Sequence, residues 1–196
     1  MSRKQSIYQE AARLFSEKGY ASASMRDLAI RVGIEPSSLY SHIKSKDQIL
    51  KEICFECAHA FNEGLERIEK VDSEPLQKIR ALIALHLQIA EEDPSSIVVF
   101  NDEWKHLGEE SLQEFLTMRK SYEEGFKSIL RAGKENGTIR NYSSGLMLNT
   151  IVSGLKWMHD IKSNRDDAMK LKNDLTDLLI HGIKCSSNKG KTNSCS

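Results

Sequence analysis

Apolar residues recur along this chain at helical spacing, and no stretch of any length alternates with the two-residue period of a strand. Ile7, Ala11, Leu14 and Phe15 make one stripe over residues 6–18, which Gly19 closes, and Tyr20 and Ala21 connect it to a second helix. In that short helix Met25, Leu28, Ala29 and Val32 fall at i, i+3, i+4 and i+7, between Ser24 at its start and Gly33 at its end. Pro36 suits the first turn of a third helix, whose core residues are Leu39 and Ile43. A long helix then runs from Lys46 to about Val71 on Leu50, Ile53, Cys54, Cys57, Ala58, Phe61, Leu65 and Ile68, with Ser45 as its cap. The next starts near Pro75 on Ile79, Leu82, Ile83, His86, Leu87 and Ala90, until Asp93-Pro94 interrupts it. A short apolar segment, Ile97 to Trp104, precedes a second long helix from Glu109 to about Glu135, and residues 143–161 and 166–184 make the last two. The pattern predicts an all-α chain of about nine helices.

Residues 24–46 carry the most chemistry. Asp27 stands three residues after Ser24, a near capping box with Asp in place of Glu. With Leu39 and Ile43 turned inward, Ser37, Ser38, Tyr40, Ser41, His42, Lys44 and Lys46 remain outside. Hydroxyls, a phenol, an imidazole and ammonium groups are the inventory for phosphate oxygens and base edges. A helix-turn-helix sets its second helix in the major groove, with base-reading residues near its N-terminal end. An ordinary helical hairpin with a polar outer face would share the same pattern.

Charge sharpens this choice. The chain of 196 residues is neutral overall, but eight lysines and arginines against five acids give residues 1–50 a net +3, leaving −3 to the rest. That skew favours a polyanion-binding N-terminal part. The composition is that of a globular protein, no apolar run approaches the ~20 residues that span a bilayer, and no signal-peptide core is present. A cytoplasmic protein is expected. Cys54 and Cys57 form a C-x-x-C inside a helical pattern with no second ligand pair nearby, so they read as core residues, and Cys195 reads as an unpaired thiol in a polar tail.

At fixed spacing along the first quarter of the chain stand Ala11-Ala12-Arg13-Leu14-Phe15, Glu17-Lys18-Gly19-Tyr20, Ser24-Met25-Arg26-Asp27-Leu28-Ala29, Val32-Gly33-Ile34, Leu39 to Lys46 and Leu50. In these residues the sequence resembles the TetR/AcrR transcriptional regulators, departing at Ile43, where that family often has an aromatic residue. The resemblance implies a ligand-responsive DNA-binding regulator, a homodimer that represses from a palindromic operator in double-stranded DNA. It implies a helix-turn-helix domain over residues 1–46, a ligand-binding and dimerisation domain over 47–185, and a disordered tail over 186–196. By family position Arg26, Ser37, Ser38, Tyr40, Ser41 and His42 lie at the DNA, with Lys46 close to a phosphate, and Ser24, Pro36 and Lys44 complete the expected DNA-binding set. The last two helices would pair with their twins, which suits Leu146, Leu148, Ile151, Val152, Leu155, Trp157 and Met158, apolar on nearly all sides, and Leu171, Leu175, Leu178, Leu179, Gly182 and Ile183.

The second long helix carries Leu112, Phe115, Tyr122, Phe126, Ile129 and Leu130 on one face, and Arg119 sits among them. A buried guanidinium must be paired or meet an anion. With His86, Phe61, Phe100, Trp104, Phe115, Tyr122 and Trp157 it reads as a hydrophobic effector pocket holding a cationic group. The other reading pairs Arg119 with Asp102 or Glu103 and makes His86 a core histidine. Asn101 to Leu107 with Arg119, Tyr122 and Glu123 also resembles a TetR subgroup responsive to acyl-CoA thioesters, which implies an acyl-CoA effector. The rival classes are a helical protein-interaction module and a metal-binding bundle built on Glu56/His59 and Glu103/His106. No nucleophile elbow, P-loop or dinucleotide fingerprint supports an enzyme, and neither a metal nor a cofactor is expected.

Overall fold

The computed structural model describes residues 3–157 and 165–185. Its helices are α1 (Arg3–Lys18), α2 (Met25–Val32), α3 (Pro36–His42), α4 (Lys46–Lys70), α5 (Pro75–Glu92), α6 (Pro94–Asp102), α7 (Glu109–Glu135), α8 (Ser144–Trp157) and α9 (Arg165–Ile183), with a three-residue 3₁₀ turn, η1, at Trp104–His106. The all-α expectation therefore holds, with nine α-helices among the described residues. The expected disordered tail, Cys195 and Met158 lie outside those residues. Cys54 and Cys57 are free and buried. No helix among the described residues is long and apolar enough to cross a membrane.

By contact the chain groups into two compact units, Met1–Ala60 with Ile89–Arg119, and Phe61–Gln88 with Lys120–Ser196. Segment 1–46 lies wholly in the first. There α1 packs against α6 and α2. One cluster of Ile7, Ala11, Leu14, Phe15, Leu28, Leu39, Ile43, Ile49, Leu50, Val99 and Phe115 forms its centre. Cys54 belongs to that cluster, and burial pushes its thiol pKa up to about 12. A thiol so far from its thiolate is inert packing.

In the second unit the buried side chains include Phe61, Leu65, Ile79, Leu82, Ile83, Tyr122, Phe126, Leu130, Met147, Leu148, Ile151, Leu155, Leu179 and Ile183. α4 and α5 approach closely at Gly64, where an added methyl would collide with Leu85. α9 is tied to α5 by Asp177, whose Oδ1 accepts from both terminal nitrogens of Arg80 at 3.2 Å. It is tied to the loop before α8 by bonds from Arg140 N–H to Ile183 O (2.8 Å) and from Cys185 N–H to Thr138 O (3.0 Å).

Candidate nucleic-acid interface and effector residues

Local chemistry builds α2 and α3. The capping box at Ser24 is complete: Asp27 N–H donates to Ser24 Oγ at 3.1 Å, and Ser24 N–H donates to Asp27 Oδ2 at 3.0 Å. The hydrogen bonds from Ser24 hold the Asp27 carboxyl below the usual carboxylate range. Gly33 ends α2 in the left-handed region (φ 70°), and the Ile34 N–H reaches back to Ala29 O at 3.0 Å. That is the Schellman arrangement, which a side chain at residue 33 would strain. Pro36 opens α3 after Glu35, and Leu39 is fully buried with Ile43 beside it in the same cluster. Ile43 fills the place of the family's frequent aromatic residue without leaving the core.

With those two anchors inward, Arg26, Pro36, Ser37, Ser38, Tyr40, Ser41, His42 and Lys44 all keep contact with solvent, Tyr40 over 54% of its surface. Ser24 is exposed too, but its hydroxyl is engaged with Asp27, donating to Oδ2 at 2.7 Å. Ser41 donates to Ser38 O at 2.6 Å, which spends its hydroxyl proton and not its lone pairs. The outer face of α2 is braced from α1 by Arg31–Glu17 at 2.5 Å and Lys18–Asp27 at 3.4 Å.

Lys46 departs from expectation. It is half-buried rather than exposed, and its ammonium donates to Tyr20 O and Ala23 O, both at 2.9 Å. It also lies 4.3 Å from the centre of the Tyr20 ring. The first residue of α4 thus closes the turn that leads into α2, through acceptors 26 and 23 positions earlier in the chain. Tyr20, Asp47 and His106 join this cluster without a signal in the sequence that would have brought them together. Tyr20 is buried, donates its hydroxyl to Asp47 and stacks on His106 at 5.5 Å and 28°. Burial, then the bond to Asp47, pushes the Tyr20 hydroxyl pKa upward, so it stays a donor.

Of the expected effector residues, Phe100, Trp104, Phe115 and Arg119 belong to the first unit and Phe61, His86, Tyr122 and Trp157 to the second. In the first unit Phe100 and Trp104 both contact Phe115, at 5.6 and 6.0 Å between ring centres, the Trp104 pair nearly parallel. Arg119 is exposed, not buried, with its guanidinium 5.4 Å from the Trp104 ring centre. The helical wheel put it on the apolar face, yet at the edge of that face a guanidinium gains more by covering an indole in contact with water than by desolvation. In the second unit Phe61, His86 and Tyr122 meet, with His86 Nε2 2.8 Å from Tyr122 Oη and 4.5 Å between the Phe61 and His86 rings. Burial pushes the Tyr122 hydroxyl pKa up. Trp157 is 53% exposed on α8, with Leu146 at 61% and Leu178 of α9 at 71%. The expected place of Trp157 in a pocket is therefore corrected to an open apolar face. Glu103 and His106 pair with each other at 3.4 Å, and His59 is exposed.

Comparison with known proteins agrees with this architecture. Residues 7–53 match the family described as bacterial regulatory proteins, tetR family, and residues 72–160 match a tetracyclin repressor-like C-terminal domain. A transcriptional repressor, KstR2 of Mycolicibacterium smegmatis, is 29% identical over 140 residues, 71% of this chain and 68% of that one. The crystal structure of the TetR-family regulator PfmR from Thermus thermophilus superposes with a TM-score of 0.78 at 30% identity, over 89% of this chain and 97% of that one. AibR in complex with isovaleryl coenzyme A and operator DNA has the same fold, with a TM-score of 0.80 at 21% identity over 91% and 98% of the two chains. Such regulators bind DNA and are not enzymes. A complete helix-turn-helix with an outward polar face, followed by a matching C-terminal helical domain, makes this chain a DNA-binding transcriptional regulator belonging to the TetR family.

Proposed function

We propose that the chain is a homodimeric repressor that leaves a palindromic operator when an acyl-CoA-like effector binds. The observation that carries the reading is the division of labour in segment 24–46: each apolar residue after Pro36 is an anchor, and the polar ones up to Lys44 face out. Tyr40 supplies affinity from the middle of that face, while Arg26 and the serines of α3 read base edges. Ser37, Ser38, Ser41, His42 and Lys44 complete the contact. Lys46 acts through the turn it holds. Leu146 and Trp157 of α8 and Leu178 of α9, all exposed, are where the second copy would sit, in keeping with helix pairs that bury more than one face.

For the effector, support comes from the bound isovaleryl coenzyme A of AibR and from the two aromatic groups of this chain. Phe100, Trp104, Phe115 and Arg119 in one unit, and Phe61, His86 and Tyr122 in the other, are the candidates for its contacts, and Trp157 is kept for the dimer face. The cytoplasm, where genomic DNA and acyl-CoA are both found, is the proposed location.

The test uses a duplex selected from a random library by the parent protein, followed by fluorescence anisotropy. Tyr40→Ala is expected to cost about 1–2 kcal/mol of DNA affinity, in the range of a lost specific contact. Parent affinity in that variant overturns the assignment of α3. Isovaleryl-CoA and lauroyl-CoA are then titrated into the complex. Release of DNA by either, weakened by Trp104→Ala or by Tyr122→Phe, assigns the effector to one unit. If neither thioester releases DNA or raises the melting temperature, the acyl-CoA reading fails and the DNA-binding one stands.

A further inference from the structure

The turn η1 spans three residues between α6 and α7, and its two ends face different partners. Successive residues of a 3₁₀ turn project about 120° apart, so residues 104 and 106 cannot share a face. Trp104 stacks on Phe115 of α7 beneath Arg119. His106 stacks on Tyr20, which also meets Phe15 of α1 edge-on at 5.2 Å and 82°. Tyr20 is also held by the first two residues of α4, through the Lys46 ammonium over its ring and Asp47 at its hydroxyl. Its carbonyl and that of Ala23 hold Lys46, and Ala23 immediately precedes the Ser24 cap of α2. All of these residues lie in the first unit, so the chain of contacts from Trp104 to the start of α2 is unbroken within one packed body.

We infer that Tyr20 is a positioning residue through which η1 sets the DNA-reading helices, with its stack on His106 as the link. Displacement of Trp104 carries η1 with it, because the Leu107 N–H bonds back to the Trp104 carbonyl at 3.1 Å and the His106 N–H to the Glu103 carbonyl at 2.9 Å. The His106 ring moves with it, and Tyr20 carries the change to the Ala23 carbonyl and the α2 cap. Coupling free energy is reciprocal: if Trp104 reports to α2, DNA on α2 and α3 reports to Trp104. The inference rests on the reading of α2 and α3 as the DNA-contacting helices, but it needs no effector.

The experiment is fluorine NMR of the full chain labelled with 5-fluorotryptophan, with and without the library-selected duplex. A Trp157→Phe sample serves only to assign the two resonances. The duplex is expected to shift the Trp104 resonance in the parent protein. The shift is expected to vanish in His106→Ala and to return in His106→Phe, which keeps a planar stack but loses the Glu103 partner. His106→Leu repeats the test if the alanine variant melts early. A shift retained in both His106→Ala and His106→Leu, or absent from the parent, overturns the inference. Failure of the DNA-contact reading is separable, because it shows as parent-like DNA affinity in Tyr40→Ala, whatever Trp104 does.

Discussion

The α2–α3 pair and the α8–α9 pair are both helical hairpins, yet they leave opposite kinds of surface uncovered. In α2–α3 the apolar residues are sealed below and a polar face is left standing, from Ser37 to Lys44. In α8–α9, Met147, Leu148, Ile151, Leu155 and Leu179 are buried while Leu146, Trp157 and Leu178 remain in water. A Cβ built on Gly154 would lie 3.6 Å from Leu175, so the two helices are already close and cannot hide those residues in each other. A polar face is at no disadvantage in solvent, whereas an apolar one is, so the first surface suits a transient, salt-sensitive partner and the second a standing apolar one.

The sharpest way to break this contrast is to charge the apolar surface. Leu146→Glu with Leu178→Glu is expected to give monomers in sedimentation velocity. DNA affinity should fall roughly a hundredfold or more, because the avidity of two linked heads is lost. Unchanged mass and affinity would leave α8–α9 as a mere exposed patch. Next in size is Leu39→Ala. The residue is fully buried beneath the polar face. Removing it is expected to cost about 2–4 kcal/mol in denaturant unfolding, with loss of DNA binding.

Lys46→Met separates two roles for one residue. If the ammonium met a phosphate, its removal would flatten the slope of log affinity against log salt by about 0.9. Because the ammonium is held by Tyr20 O and Ala23 O, affinity is expected to drop with the slope unchanged. Asp27→Asn is the smallest effect. The Asp27 carboxyl is held below its usual 3.8 by Ser24, so its ionised form stabilises the fold above that pH, and this contribution is lost as pH falls through the depressed value. The melting-temperature gap between parent and Asp27→Asn should therefore be open at pH 7, start to narrow near about pH 4 and close as pH falls through the depressed value. A gap that is constant with pH would show that Asp27 acts without its charge.

Helix after helix could be read from the chain, because the signals are local. A cap at Ser24, a left-handed glycine at 33, a proline at 36 and a stripe at 3.6-residue spacing all concern residues within about one turn of each other. Such signals identify α2 and α3 nearly residue by residue, and with them the outward set from Arg26 to Lys44. Burial on a helix's edge is another matter. Arg119 shares an apolar stripe with Phe115 and Tyr122, yet periodicity says only which way a residue points, not whether another element arrives to cover it. The same gap separates Trp157, open on α8, from Trp104, stacked on Phe115.

The all-α architecture, the helix-turn-helix and its polar face were settled by the order of residues alone, because short-range hydrogen bonding and apolar periodicity leave the backbone few alternatives. Which charged groups are spent inside the protein was settled by packing between segments far apart in the chain. Lys46 is the clear case: nothing near it in sequence foretells two carbonyl acceptors at Tyr20 and Ala23. Tyr20 is its counterpart, a connecting residue in the sequence and the meeting point of α1, α4 and η1 in the fold. Long-range contacts depend on how whole helices seat against one another, and no window of a few residues contains that information.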